Sequence, residues 1–104
     1  MPVEEARVPK LVVNDRRKTW LVDLERGESL VVGRSSASDL WIDAPRASRR
    51  HCEVRAAGDG HEIVDMGSTN GTTLNGAPFS DATALEHGDR VDAAGCLLVY
   101  WSRP

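Results

Sequence analysis

Turn signals divide this chain into short segments along its whole length, which limits it to a fold built from short strands. Apolar residues never keep a helical spacing for the roughly eleven residues that would indicate a helix. Runs of strand-forming residues instead alternate with glycine- and asparagine-containing turns. The predicted strands are 10–14, 19–24, 30–32, 40–42, 51–57, 62–65, 90–93 and 96–101. Strands at this spacing predict an all-β sandwich or barrel, and the continuous apolar run at 96–101 favours a strand in its interior.

Length and composition limit the chain to a single domain. The 104 residues leave room for one core, and 40% of them are hydrophobic, which is sufficient to build it. The net charge of −3 argues against bulk attraction to nucleic acid. No apolar run approaches the length of a membrane span, and residues 1–10 lack the apolar centre of a secretory signal. We therefore expect a cytoplasmic protein with a flexible lead-in at 1–9 and one domain at 10–104.

Neither metal binding nor catalysis has a convincing pattern. Cys52 and Cys96 form no CxxC motif, so we expect two buried free thiols. His51 precedes Cys52 on a predicted strand, where adjacent side chains point to opposite faces and rarely share an ion. Ser48 and His51 lack the orienting acid and the oxyanion loop of a hydrolase. We expect no metal, no cofactor, no small-molecule substrate and no enzymatic activity.

Positive charge is concentrated in one segment of this acidic chain. Apart from the predicted strand 40–42, the segment 34–50 is loop-like. Its local charge balance is +2, whereas the rest of the chain has a balance of −5. The basic residues of this segment are Arg34, Arg46, Arg49 and Arg50. Arginines on loops are often simply solvated. Their planar guanidinium groups also bind two oxygens of a phosphate or carboxylate at once, so an anion site is the alternative interpretation.

Two asparagine–glycine turns form the most regular pattern in the chain. Asn70-Gly71 and Asn75-Gly76 predict two turns that flank a very short strand. The polar residues Ser68, Thr69 and Asn70 then form an exposed loop tip. Side chains of this kind hydrogen-bond either a partner's backbone or an anion. The structural and the binding interpretations are compatible.

Taken together, these motifs resemble the forkhead-associated (FHA) domain. The motifs that carry the resemblance are Gly33-Arg34, Ser48-Arg49-x-His51, Ser68-Thr69-Asn70-Gly71-Thr72 and Asn75-Gly76. The resemblance covers residues 29–101. It implies a sandwich of two antiparallel-rich sheets, with about eleven short strands and with loops at one end that bind phosphothreonine peptides.

The resemblance also implies roles for individual residues. Arg34 and Ser48 are expected to contact the phosphate, and Thr69 to assist from the neighbouring loop. Arg49 occupies a second phosphate position, where other members often carry Asn or Lys. Asn70 is expected to hold the peptide backbone.

Three further residues are expected to support the binding loops. Gly33 permits close packing, His51 braces the two loops and Gly71 supplies turn geometry. Arg46 is a candidate contact for the peptide downstream of the phosphothreonine, where it would favour an acidic residue. The sequence departs from the family pattern at Ala47, where a β-branched residue is usual.

These features predict a phosphothreonine-peptide-binding module that takes part in signalling. Its partner would be a protein phosphorylated by a Ser/Thr kinase, with no nucleic acid and no membrane involved. The alternative is an interaction or self-association domain on the same fold that binds partners without phosphate.

Overall fold

The chain folds into two packed β-sheets. The structure, a computed structural model, describes residues 8–25 and 27–103, and it contains no helix within these ranges. The strands are β1 (Lys10–Asn14), β2 (Thr19–Asp23), β3 (Leu30–Gly33), β4 (Leu40–Trp41), β5 (Cys52–Ala57), β6 (Gly60–Asp65), β7 (Thr72–Leu74), β8 (Ala77–Pro78), β9 (Thr83–Ala84), β10 (Arg90–Ala93) and β11 (Cys96–Trp101). Most of the lead-in expected at 1–9 lies outside the described residues. The prediction of an all-β sandwich with about eleven strands is confirmed.

The strand order divides the sandwich into a six-stranded and a five-stranded sheet. The six-stranded sheet has the order β2-β1-β11-β10-β7-β8, and the five-stranded sheet has the order β4-β3-β5-β6-β9. Neighbouring strands are antiparallel except for β3 and β4, which are parallel. The described residues include no helix able to cross a membrane.

Side-chain alternation along the strands builds the core. In β5, Cys52 and Val54 are fully buried, whereas Glu53 and Arg55 on the other face are not. Both cysteines are free and buried, and burial raises the pKa of each thiol to about 12. Thiols with such a high pKa are poor nucleophiles at neutral pH, so these cysteines serve as small core residues.

Strand β11 differs from the expectation of a fully interior strand. Cys96, Leu98 and Tyr100 are buried, but Leu97 is half-buried and Trp101 is exposed. The six-stranded sheet is covered on one face only, so every second residue of β11 points outward. The apolar run therefore supplies both a core face and an apolar outer face.

The register of the five-stranded sheet brings three loops to one end. Val32 near the end of β3 pairs with Cys52 at the start of β5, which in turn pairs with Asp65 at the end of β6. The loops 34–39, 42–51 and 66–71 therefore leave the sheet side by side. These are the loops in which the sequence places the candidate binding residues.

Candidate functional site at the loop end of the five-stranded sheet

Arg34 is held by three hydrogen bonds, two to the β4–β5 loop and one from strand β4. Its backbone N–H donates to the Ser48 carbonyl at 3.0 Å, and its Nε donates to the Ala47 carbonyl at 2.9 Å. Its own carbonyl accepts a 3.0 Å hydrogen bond from the indole Nε1 of Trp41. The side chain is exposed, and among the described residues its terminal guanidinium nitrogens form no hydrogen bond or ion pair. These nitrogens remain available to a ligand.

Gly33 allows the two loops to approach each other closely. A Cβ at this position would overlap the backbone carbonyl of Arg49. The same carbonyl accepts hydrogen bonds from Ser35 N at 3.2 Å and from Ser38 Oγ at 3.0 Å. The backbone of Arg49 is thereby fixed against the β3–β4 loop, while its side chain is exposed to solvent.

His51 connects the β4–β5 loop to the β6–β7 loop. The imidazole is fully buried, and its Nδ1 accepts a hydrogen bond from Ser48 N at 3.0 Å. A backbone N–H is always a donor, so the proton of the neutral ring lies on Nε2, which donates to the Gly71 carbonyl at 2.8 Å. The backbone of His51 is held as well, by Val32 on one side and Met66 on the other.

The carboxylate of Asp65 organises the β6–β7 loop. Its Oδ1 accepts 2.6 Å hydrogen bonds from the hydroxyls of Ser68 and Thr72, and its Oδ2 accepts from the backbone N–H groups of Gly67 and Ser68. Partial burial alone raises the pKa of Asp65, but these hydrogen bonds outweigh it and lower the pKa below its usual value. Gly71 completes the loop with a φ of +81°, which a residue with a side chain rarely adopts.

The two loops meet directly at the exposed tip. Thr69 N donates to Ser48 Oγ at 3.0 Å, and Asn70 Nδ2 donates to the Arg46 carbonyl at 2.6 Å. A hydroxyl carries one proton and two lone pairs, so Ser48 can still donate a hydrogen bond to a ligand. The tip therefore combines a free hydroxyl donor with the exposed polar side chains of Thr69 and Asn70.

Within residues 8–25 and 27–103, the arginines of segment 34–50 have no acidic partner. Ion pairs in the described residues involve Lys10, Arg16, Arg17 and Arg55. The arginines of segment 34–50 take part in none of these ion pairs, and all of them are exposed. An anion entering between the loops would therefore meet cations that are not already neutralised.

The structure joins most of the predicted site residues through hydrogen bonds. Arg34 and Ser48 are connected through the backbone, and Ser48 contacts Thr69. Arg46 joins Asn70 through its carbonyl. The side chain of Arg49 is the exception, because only its position next to Ser48 places it in the site.

Two contributors were not assigned a role from the sequence. Trp41 lies in the predicted strand 40–42, and in the structure it is 59% exposed and its indole supports the Arg34 carbonyl. No local pattern signals this contact. Asp65 ends the predicted strand 62–65, but its role as acceptor of four hydrogen bonds depends on the conformation of the following loop.

Comparison with known proteins agrees with this geometry. The FHA domain family model matches residues 30–93. The oxoglutarate dehydrogenase inhibitor of Corynebacterium jeikeium is 40% identical over 73 residues, which is 70% of this chain and 50% of the relative. The glycogen accumulation regulator GarA of Mycolicibacterium smegmatis is 40% identical over 72 residues, 69% of this chain and 45% of the relative. The matched region thus spans about half the length of these curated relatives.

Solved structures share the same architecture. An FHA domain studied for its phosphothreonine-dependent interactions is 29% identical with a TM-score of 0.81, over 93% of this chain and 98% of that one. The FHA domain of FhaA was solved in complex with the intracellular domain of another protein. It is 29% identical with a TM-score of 0.77, and the match covers 88% of this chain and 98% of that chain. The family match covers more than half of the sequence, and the loops that carry its motifs converge in the fold. The chain belongs to the FHA domain family.

Proposed function

We propose that this domain binds phosphothreonine peptides at the loop end of the five-stranded sheet. The observation that carries the proposal is the convergence of Arg34, Ser48 and Thr69 through direct hydrogen bonds. They lie beside arginines that have no carboxylate partner in the part of the chain that the structure describes. A phosphate monoester carries about −1.5 to −2 charges at pH 7 and three acceptor oxygens. A guanidinium fork and a hydroxyl donor match that demand.

Each predicted residue has a distinct part in this proposal. Arg34 supplies its terminal guanidinium nitrogens to the phosphate, and Ser48 supplies its hydroxyl proton. Thr69 adds a hydroxyl from the adjacent loop. Arg49 provides a second positive charge, and Asn70 binds the peptide backbone.

The surrounding contacts favour a prepared site. Gly33, His51 and Gly71 hold the loops through close packing, two hydrogen bonds and turn geometry. Loops that are already ordered lose little entropy when a ligand binds. Arg46 is exposed beside Asn70, where it would contact an acidic residue downstream of the phosphothreonine.

The domain would act by binding and not by catalysis. The relatives are an inhibitor and a regulator, which fits a binding role. The partner would be a cytoplasmic protein phosphorylated by a Ser/Thr kinase, bound without nucleic acid or membrane. The second candidate, binding without phosphate on the same fold, is separated from the first by the titrations below.

Arg34→Ala tests the phosphate contact. Loss of a charge-assisted partner in a desolvated site typically costs about 2–5 kcal/mol, so binding to a phosphothreonine peptide should fall by at least about 30-fold. Isothermal titration calorimetry measures the affinity, and the melting temperature should change little. Arg90→Ala is the matched control, since Arg90 is exposed on β10 of the other sheet and should leave the affinity unchanged. Equal affinity of both variants would refute the assignment.

Preference for phosphothreonine over phosphoserine tests specific recognition. The two ligands carry the same charge and differ by one methyl group. Burial of a methyl group is worth about 0.8 kcal/mol by transfer, and a tight pocket raises the discrimination to about 1–3 kcal/mol. The methyl also restricts χ1 and lowers the ordering cost. We expect at least about a tenfold preference in titrations with paired peptides. Equal affinities would indicate a general anion patch, and equally strong binding of the unphosphorylated peptide would favour the second candidate.

A further inference from the structure

One edge strand of this sandwich lacks the features that keep the other three edge strands from pairing with another chain. The edge strands β4, β8 and β9 are two residues long, and β8 contains Pro78. Short strands and proline are devices that prevent an edge from pairing with another chain. The remaining edge strand, β2, has five residues without proline.

The hydrogen-bond pattern shows which backbone groups of β2 face outward. Beyond the two ends of the β1–β2 pairing, Leu24 N donates to the Pro9 carbonyl at 2.7 Å and Asp15 N donates to the Lys18 carbonyl at 3.1 Å. Alternate residues of an antiparallel strand bond to the same neighbour, so the even-numbered residues of β2 bond to β1. The odd-numbered residues direct their N–H and C=O groups away from the sheet, where the described residues place no further strand. These outward residues are Thr19, Leu21 and Asp23.

An apolar stripe on the outer face of the sheet ends at this edge. Leu21 pairs in register with Val12, which pairs with Val99 of β11. Val12 and Val99 are half-buried, whereas Leu21 is 62% exposed, the highest value among the large hydrophobic residues described. The free backbone groups and the most exposed apolar side chain therefore coincide on one strand.

We propose that β2 pairs antiparallel with β2 of a second copy of this chain, about a twofold axis at Leu21. In this register Leu21 lies opposite Leu21 of the second copy, and Thr19 lies opposite Asp23. All three outward residues then form hydrogen-bonded pairs, with about six backbone hydrogen bonds in total. A shift of the two strands by two residues relative to each other would leave one outward residue of each strand without a partner. The apolar stripe becomes continuous across the axis.

Charge favours a second copy over an unrelated strand. Arg16, Arg17 and Lys18 precede β2, while Asp23 and Glu25 lie at its other end. Within one chain Arg17 also lies 3.6 Å from Asp43, and Lys10 lies 2.9 Å from Asp23. Arg17 and Asp23 are exposed, and exposed ion pairs are weak, so both charges still attract a second copy. Antiparallel pairing about a twofold places the basic end of one strand beside the acidic end of the other. The edge is therefore complementary to itself.

The dimer should be weak because the paired strands are short. Interfaces below about 1,200 Å² are typical of transient complexes. Sedimentation equilibrium from about 10 μM to 1 mM should show the mass rising from 11.3 kDa towards twice that value, with a dissociation constant on the order of 100 μM. A constant mass across this range would overturn the proposal.

Two sets of variants identify the edge. Leu21→Lys should weaken dimerisation at least about tenfold, because a lysine ammonium then meets its own copy at the axis. Thr73→Lys places the same charge on β7, away from the edge, and should leave dimerisation unchanged.

Arg17→Glu and Glu25→Arg should each weaken the dimer, and the double variant should restore it. Loss of dimerisation in the double variant as well would contradict the antiparallel arrangement.

Amide hydrogen exchange gives a readout specific to this pairing. The amides of Thr19, Leu21 and Asp23 should exchange more slowly at high protein concentration. Those of Trp20 and Val22 should be protected at every concentration, because they bond to β1. A dimer in which the odd-numbered amides remain unprotected would pair through another surface and would overturn the proposal.

Discussion

At the scale of single residues, one buried imidazole links the two loops that carry the candidate phosphate ligands. His51→Ala would leave Ser48 N and the Gly71 carbonyl without partners, at about 1–3 kcal/mol for each unsatisfied group. We therefore expect a loss of about 2–6 kcal/mol in the free energy of unfolding, together with weaker phosphopeptide binding. Urea unfolding and calorimetric titration measure the two effects.

His87→Ala is the control for this variant. His87 accepts hydrogen bonds from Ser102 N and Arg103 N, and its ring contacts Trp101. These contacts lie at the end of β11 that is remote from the binding loops. Its loss should leave the affinity unchanged. If His51→Ala unfolds like the unmodified protein, the bracing role of His51 is wrong.

At the scale of elements, close contact between the end of β3 and the β4–β5 loop sets the position of Arg34. In Gly33→Ala the new Cβ overlaps the Arg49 carbonyl, and displacing a backbone segment in this way costs about 2–3 kcal/mol. Phosphopeptide affinity should fall as well, because Arg34 and Arg49 would both shift. Thermal unfolding and titration test this expectation.

Gly60→Ala is a matched control on β6. Its added Cβ would have the Tyr100 hydroxyl as its nearest neighbour, at 3.8 Å, and its φ is not positive. We expect a change of no more than about 0.5 kcal/mol in the free energy of unfolding. Similar losses in both variants would show that strand glycines matter generally and that the Gly33 contact has no special importance.

At the scale of the whole molecule, three titratable groups make the fold sensitive to acid. Burial lowers the pKa of His61 below 6.5, although nearby Glu28 opposes this shift. The unfolded chain therefore takes up a proton at His61 before the folded protein does, and stability falls as the pH drops below about 6.5. In Asp15 and Asp65, burial raises the pKa, but backbone and side-chain hydrogen bonds outweigh it and lower the pKa below 3.8. Their contribution is present above pH 3.8 and is lost below it.

Urea unfolding between pH 3 and pH 8 should therefore show two declines in stability. His61→Gln should remove the difference in stability between about pH 7 and pH 5 that this residue contributes. Asp65→Asn should reduce only the decline below about pH 4. A pH profile of His61→Gln with the same shape as that of the unmodified protein would contradict the assignment of the upper decline.

The amino-acid sequence determined the fold class and the identity of the candidate ligands. The alternation of Cys52, Glu53, Val54 and Arg55 indicates the buried face of β5 by itself, because that pattern follows from local geometry. Asparagine–glycine signals located real turns, with Gly71 at +81° and Asn75 at +52°, because only certain residues adopt positive φ easily. The motifs that identify the FHA family are likewise short and local.

Only the tertiary structure decided the features that depend on distant residues. Strands β8 and β9 have two residues each, which is too short to show the alternation of buried and exposed residues typical of a strand. Ala94 adopts a φ of +53° without a typical turn sequence. The outward face of β11 could not be predicted, because every residue in that run is apolar and the covering sheet decides which face is buried. The link between His51 and Gly71 joins residues that are 20 positions apart. Such contacts follow from how the sheets and loops pack, and local residue preferences contain no information about them.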